Sequence, residues 1–322
     1  MIYKRVGKIK EELSAIGYGC WGISGTDSWT GTTDERSIET IRTAIAGGVN
    51  FFDVAPVYGL GHAEKILGKA IRGQRERVFI ASKCGLVWDD EHHITNNLTP
   101  DSVEREIHDS LKRLNIDYID LYQCHWPDPD TDIVETMRKL NELKERGLIR
   151  YIGLTNFSVD EAKRAMHVAD IASMQGLYNL LERNPTHYHG IPLEYRTEDE
   201  IFPFVRAYGM AFFPYSPIFQ GLLADKFTEA DNFDSQDVRN ANPKLNGEPF
   251  KKYFALSMEV RKIAFELGRP TIQVALNYLI QKEAITSVIA GALSPEQMRQ
   301  NMDTVSWQLD EATLKQLNRI VE

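Results

Sequence analysis

The chain has 322 residues, 37 basic and 46 acidic side chains, a formal charge of −9 and a pI near 5.5, a balance that argues against nucleic acid or an anionic membrane as partner. Hydrophobic residues make up 43% and charged residues 26%, which excludes disordered and fibrous classes. No apolar run reaches the ~18 residues of a membrane span, MIYKRVGKIKEEL has no signal-peptide core, and Cys20, Cys84 and Cys124 lie 64 and 40 residues apart, too far for a CxxC pair or a structural zinc site, so a cytoplasmic protein is expected.

In chain order, the opening MIYKRVGKIKEEL reads as a hairpin. Eight short apolar runs follow, AIGYG at 15–19, GVNFFDVA at 48–55, RVFIASK at 77–83, DYIDLYQCH at 117–125, LIRYIGLTN at 148–156, DIASMQG at 170–176, GMAFFPYS at 209–216 and AITSVIAG at 284–291. Helical periodicity fills the gaps between them. A first helix should start near Thr33 or Asp34, bury Ile38, Ile41 and Ile45, and stop at Gly47 and Gly48. TPDSVEREIHDSLKRL offers Thr99 as a cap, Pro100 at the first position and a stripe of Val103, Ile107, Leu111 and Leu114. ETMRKLNELKERG buries Met137, Leu140 and Leu143 before Gly147.

Strands apolar on both faces, each followed by a helix, imply a parallel sheet covered by helices, and eight of them imply closure into a (β/α)₈ TIM barrel. The expected organisation is one barrel domain over residues 1–322, with the N-terminal hairpin plugging its bottom and a C-terminal helical extension from about residue 303. Two connections, Asn179 to Asp199 and Pro217 to Phe250, exceed ordinary loop length and should rise on the C-terminal face.

Polar residues ending apolar strands are the informative ones in a barrel. Asp53, Lys83 and His125 end the second, third and fourth runs, and Tyr58 follows in the Gly-rich turn PVYGLGHAE. Singly, each has a structural reading as helix cap, snorkelling cation, core histidine or turn packing. Together they suit carbonyl reduction. A lysine paired with Asp53 and aimed at the phenol is expected to pull the Tyr58 pKa below about 10. Tyr58 then donates a proton to a developing alkoxide that His125 orients.

The quoted strand ends sit within longer motifs. YGCWG at 18–22, NFFDVAPVYGLGHAEKILGKA at 50–70, ASKCG at 81–85, LKRLNIDYIDLYQCHWPD at 111–128, IRYIGLTNFS at 149–158, YSPIFQGLL at 215–223 and GALSPEQMRQN at 291–301 resemble an aldo-keto reductase of the bacterial-type branch related to potassium-channel β subunits. The resemblance runs from about residue 13 to residue 302. It implies a catalytic tetrad of Asp53, Tyr58, Lys83 and His125, and a nicotinamide cofactor bound without a Rossmann fingerprint. Cys20, Trp21 and Asp53 would border that cofactor, Thr155, Asn156 and Gln175 would hold its carboxamide, and Tyr215 would stack on its ring. Ser216, Pro217, Ile218, Gly221 and Leu222 would hold the pyrophosphate, and Gly291, Leu293, Gln297, Gln300 and Asn301 the adenosine end.

NADP(H) is the cofactor implied, with NAD(H) admitted because GALSPEQ supplies no cation for a 2′-phosphate; Lys226 and Arg239 are the alternative cations. Trp21, Tyr58, Trp88, His125 and Trp126 are the expected substrate pocket, the tryptophans forming either a sugar platform or rim packing. The function expected is NAD(P)(H)-dependent interconversion of aldehydes or ketones with alcohols, on sugars or polyols among other small carbonyl substrates. The alternatives are a cofactor-binding regulatory subunit and, last, a metal-assisted hydrolase. No metal site is expected, because His92, His93, His187 and His189 have no carboxylates at ligand spacing. Oligomeric state is left open.

Overall fold

The eight expected strands form one parallel sheet. The computed structural model describes residues 1–25, 31–228, 233 and 237–321. In chain order the strands are β1 (Tyr3–Lys4), β2 (Leu13–Ser14), β3 (Ile16–Gly19), β4 (Phe51–Asp53), β5 (Phe79–Cys84), β6 (Leu86–Trp88), β7 (Ile94–Asn96), β8 (Ile119–Cys124), β9 (Ile149–Thr155), β10 (Ile171–Leu177), β11 (His187–Tyr188), β12 (Ile191–Pro192), β13 (Ala211–Tyr215) and β14 (Val288–Gly291). The large sheet runs β13-β10-β9-β8-β5-β4-β3-β14. Its two ends meet where Thr286 N–H donates to the Phe212 carbonyl at 2.9 Å and the Thr286 hydroxyl accepts from Phe212 N–H at 3.2 Å. The expected (β/α)₈ TIM barrel is thus present.

Helices α1 (Asp34–Ala46), α2 (His62–Ala70), α3 (Pro100–Leu114), α4 (Ile133–Glu145), α5 (Val159–Met166), α6 (Phe202–Ala207), α7 (Gly247–Glu266), α8 (Thr271–Ile280) and α9 (Pro295–Asp303) cover the sheet, and α10 (Glu311–Arg319) follows the last of them. The Thr33 hydroxyl caps α1 as expected, accepting from Arg36 N–H. Thr99 does not cap α3; its hydroxyl donates instead to Asn97 Oδ1 at 2.6 Å, leaving Pro100 at the first helical position to set the start.

Side chains two apart on a strand share a face, and this parity stacks the interior in layers. Phe51, Phe79, Leu121 and Phe213 fill the lower layer with Ile9 and Leu13 from the N-terminal segment. The β1/β2 hairpin therefore closes the bottom, with Phe51 and Phe213 stacked at 4.4 Å. One layer higher, the same inward parity carries Asp53, Lys83 and Gln175 toward the C-terminal mouth. The long connection from Asn179 rises there too, bearing the hairpin β11/β12, and the connection between β5 and α3 bears the hairpin β6/β7; periodicity alone revealed neither. Parts of the second long loop, 229–232 and 234–236, lie outside the described residues. No helix among the described residues is long and apolar enough to cross a membrane.

Candidate active site

Asp53 is the last residue of β4 and pairs in register with Ala81, so Lys83, two residues on, stands one step above it on the inward face. Lys83 is fully buried, and its Nζ donates to Asp53 Oδ1 at 2.9 Å and Oδ2 at 2.8 Å, to the Val54 carbonyl at 3.1 Å and to the Tyr58 hydroxyl at 3.4 Å. Gln175 Nε2 donates to the same Asp53 Oδ1 at 2.8 Å. A buried carboxylate and ammonium are stable here because each is paired and hydrogen-bonded.

Tyr58 is delivered by the turn between β4 and α2. Gly59 has φ +61°, and a Cβ there would sit 1.8 Å from the Ser24 carbonyl oxygen, so only glycine lets the turn close this tightly. The turn is anchored by Glu64, fully buried, which accepts from Ser82 Oγ at 2.8 Å and Arg113 Nε at 2.6 Å. Glu64 thereby ties the turn carrying Tyr58 to the strand carrying Lys83.

His125 follows β8, its N–H donating to the Cys84 carbonyl at 2.9 Å, and its ring meets Tyr58 edge-on at 5.9 Å. Burial, and secondarily the Lys83 charge, hold the imidazole well below its usual pKa, so it is neutral. For Tyr58 the structure reverses the expectation. Desolvation first, then the Asp53 and Cys20 charges, push the phenol well above its ordinary value. The physical reason is first burial, which disfavours the charged phenolate, and then the Asp53 carboxylate, whose negative charge opposes what the Lys83 ammonium was expected to do. The phenol therefore keeps its proton at neutral pH and can donate it only where negative charge builds beside it.

Cys20 is buried close enough to feel Asp53 and Lys83. Trp21 lies over Tyr58 at 6.4 Å between centroids. Trp126 packs half-buried on the core cluster, and Trp88, in β6, makes no ring contact with these residues among those described. The rings that sequence reasoning missed come from the β11/β12 hairpin: His189 meets Trp21 at 6.1 Å and Tyr188 meets Tyr215 at 5.1 Å. The unusual length of the loop from Asn179 was the only signal of them.

The remaining expected residues also gather at this mouth. Thr155 ends β9 beside Gln175, and its hydroxyl is buried with no partner among the described residues. Asn156, with φ +66°, donates to the His125 carbonyl at 3.2 Å while its Oδ1 accepts from the hydroxyls of Tyr215 at 2.8 Å and Tyr195 at 3.1 Å. Ser216, Gln220 and Gly221 have φ of +52°, +51° and +101°, bending the segment that contains Pro217, Ile218 and Leu222 into a cradle of backbone groups. At the last strand, Gln297 Oε1 accepts from Leu293 N–H at 2.7 Å, the Leu293 side chain covers Gly22, and Asn301 donates to the Gly291 carbonyl at 3.1 Å, leaving its buried Oδ1 unpartnered. Gln300 is exposed on α9. The orphaned buried oxygens Thr155 Oγ1 and Asn301 Oδ1, together with the backbone cradle, fit a ligand that carries amide and amine donors, such as a nicotinamide dinucleotide.

Of the alternative cations, Arg239 is already engaged by both oxygens of Asp237 and stacked on Phe227 and Phe233, whereas Lys226 is exposed. Against the expectation that no carboxylate stands at ligand spacing, the fold brings Asp89 and Glu91, four and two residues before His93 in sequence, beside it with ligand atoms within 4.8 Å. The β6/β7 turn makes that juxtaposition, and all three side chains are exposed.

The profile of the Aldo/keto reductase family matches residues 15–322. The chain belongs to the aldo/keto reductase family. This aldo/keto reductase is 35% identical over 325 residues to aldo-keto reductase YhdN of Bacillus subtilis, spanning 100% of this chain and 94% of that one. It is 32% identical over 326 residues to an NADH-specific methylglyoxal reductase of Escherichia coli, spanning 96% and 95%. Among solved structures it superimposes on a glycerol dehydrogenase from Gluconobacter oxydans with a TM-score of 0.88 at 31% identity, covering 99% and 94% of the two chains.

Proposed function

We propose that this aldo/keto reductase interconverts aldehydes or ketones with alcohols at the expense of NAD(P)(H), with Tyr58 moving the proton. The observation that carries this reading is one buried ammonium, Lys83 Nζ, held between both Asp53 oxygens and the Tyr58 hydroxyl beneath the His125 ring. A nicotinamide, when bound, supplies the hydride in reduction and accepts it in oxidation. The Tyr58 hydroxyl gives its proton to the carbonyl oxygen as negative charge builds there. Neutral His125 orients that oxygen by hydrogen bonding without adding charge. Lys83, 3.4 Å from the phenol oxygen, stabilises the phenolate left behind. In oxidation the phenolate takes the proton back.

Thr155, Asn156 and Gln175 would hold the carboxamide, using the unpaired Thr155 hydroxyl and the Gln175 oxygen that faces away from Asp53. Tyr215 would support the ring, the cradle at Ser216 to Leu222 the pyrophosphate, and the β14 to α9 connection the adenosine end. NADP(H) is the cofactor that the family resemblance favours, and NAD(H) is admitted because GALSPEQ supplies no cation and one E. coli relative is named NADH-specific. Relatives named for methylglyoxal and glycerol support small oxygenated substrates of the sugar or polyol type.

Tyr58→Phe should lower kcat at least about 100-fold, the usual contribution of a general acid, while cofactor binding followed by fluorescence stays within twofold. Because Tyr58 is held protonated, wild-type reduction should be level through neutral pH while alcohol oxidation climbs with alkalinity. Near-normal kcat in the variant would overturn the assignment.

A further inference from the structure

The loop from Asn179 ends in a feature the reaction above does not use. His189 and Gly190, with φ of +49° and +81°, form the two-residue turn of the β11/β12 hairpin. The hairpin is pinned from beneath by Lys244, whose ammonium donates to buried Glu182 and to the His187 carbonyl at 2.7 Å. This places the His189 ring edge-on against Trp21 at 6.1 Å and Tyr188 at 4.4 Å, one ring away from Tyr58.

The protonation of that ring can be read from a chain of hydrogen bonds. The Lys244 backbone N–H, which can only donate, donates to Asn242 Oδ1 at 3.0 Å. Asn242 must then donate through Nδ2, which it does to Gln220 Oε1 at 2.8 Å. Gln220 in turn donates through Nε2 to His189 Nε2 at 2.8 Å. An imidazole whose Nε2 accepts a hydrogen bond carries its proton on Nδ1. Gln220 and Asn242 are buried, so water does not compete with this orientation. Burial and the Lys244 charge also hold the His189 pKa down to about 4, so the ring is neutral. Its Nδ1–H has no acceptor among the described residues, and the half-buried ring, set between the aromatic walls of Trp21 and Tyr188, leaves that donor available to a ligand.

We propose that His189 recognises hydroxylated carbonyl substrates, its Nδ1–H donating to a substrate hydroxyl or second carbonyl oxygen while Gln220 locks the tautomer. This rests on the carbonyl-reductase reading and adds to it the substrate class, small aldehydes or ketones bearing oxygen on a neighbouring carbon. Trp21 would supply the apolar wall for the carbon skeleton.

The test compares glyceraldehyde with propanal, which has the same three carbons and no hydroxyls, in the full-length protein with saturating reduced cofactor. A neutral hydrogen bond of about 0.5–1.5 kcal/mol corresponds to about 3- to 10-fold. His189→Phe should therefore raise the KM for glyceraldehyde about 3- to 10-fold, with kcat and the propanal KM within twofold of wild type. His189→Asn, which returns an N–H donor near Nδ1, should recover part of the loss. Unchanged propanal kinetics show that the variant is folded. Equal losses on both substrates, or none on glyceraldehyde, would overturn the proposal. If wild type reduces neither aldehyde, the reductase reading fails, and binding decides about His189: glycerol should then quench tryptophan fluorescence of the cofactor-loaded protein more weakly in His189→Phe, whereas identical titrations overturn the proposal.

Discussion

Removing Lys83 alone and removing both charges of its ion pair should have very different consequences. In Lys83→Met, Asp53 loses two contacts of 2.9 and 2.8 Å and keeps only Gln175 Nε2 at 2.8 Å. The carboxylate stays buried and uncompensated, which typically destabilises by about 3–5 kcal/mol. Asp53→Asn should be comparably harmful, because it leaves the buried Lys83 ammonium without a counter-charge, facing only neutral acceptors: the introduced amide oxygen, the Val54 carbonyl at 3.1 Å and the Tyr58 hydroxyl at 3.4 Å. In the double variant the introduced amide can still accept from Gln175, the introduced thioether chain fills the volume of the lysine methylenes, and no ion remains to be desolvated. We expect the double variant within about 2 kcal/mol of wild type, and hence a coupling energy of at least about 3 kcal/mol. Urea unfolding of the cofactor-free protein, with all four forms at one pH and salt concentration, measures the cycle. Additive losses would refute the reasoning, since they would mean the two charges do not depend on each other for their burial.

Two further outcomes follow from the same geometry. Glu106, buried and accepting from Gly85 N–H at 3.0 and 3.2 Å, is pushed up to about 7 by burial. The native state therefore binds this proton more tightly than the unfolded chain. Its stabilising contribution, about 3 kcal/mol, is complete below the ordinary carboxyl pKa and is lost as pH rises through about 7. Glu106→Gln keeps an acceptor for Gly85 but should lose this pH dependence, so unfolding midpoints at about pH 5 and about pH 8 should differ less than in wild type; an unchanged difference would remove Glu106 as the cause. Leu293→Arg, on the half-buried side chain over Gly22, should tighten NADPH about 10- to 150-fold with little effect on NADH, by a charge-assisted bond of roughly 1.5–3 kcal/mol to the 2′-phosphate. Paired dissociation constants check it, and equal changes for both cofactors would send the search to Lys226.

Much of the fold was legible because its signals are local. Each of the eight apolar runs contains a strand of the barrel, since strands buried on both faces must be apolar throughout, and the Thr33 cap and Gly47 stop bound α1 as the sequence implies. Asp53, Lys83 and His125 stood out as polar breaks at the ends of those runs. What they do to one another was not legible. Whether the Tyr58 phenol is lowered or raised depends first on how completely the fold desolvates it and then on the Asp53 carboxylate, which lies 2.8 and 2.9 Å from Lys83 Nζ although the two residues are 30 positions apart. Composition carries no such distance.

The misses have both local and remote causes. Thr99 had a better partner in Asn97 than the helix end, a choice between two equally local options. Asp89 and Glu91 meet His93 only because β6 and β7 turn back on each other. His189 reaches Trp21 across the barrel mouth, and its tautomer is decided by Lys244, 55 positions away, through two amides whose order in space no periodicity encodes. Alternation of apolar and polar residues determines which segments become strands and helices, because burial acts residue by residue. Proton positions and ion-pair strengths are decided by tertiary contact alone, because they depend on ångström-scale distances and on the exclusion of water by segments remote in the chain.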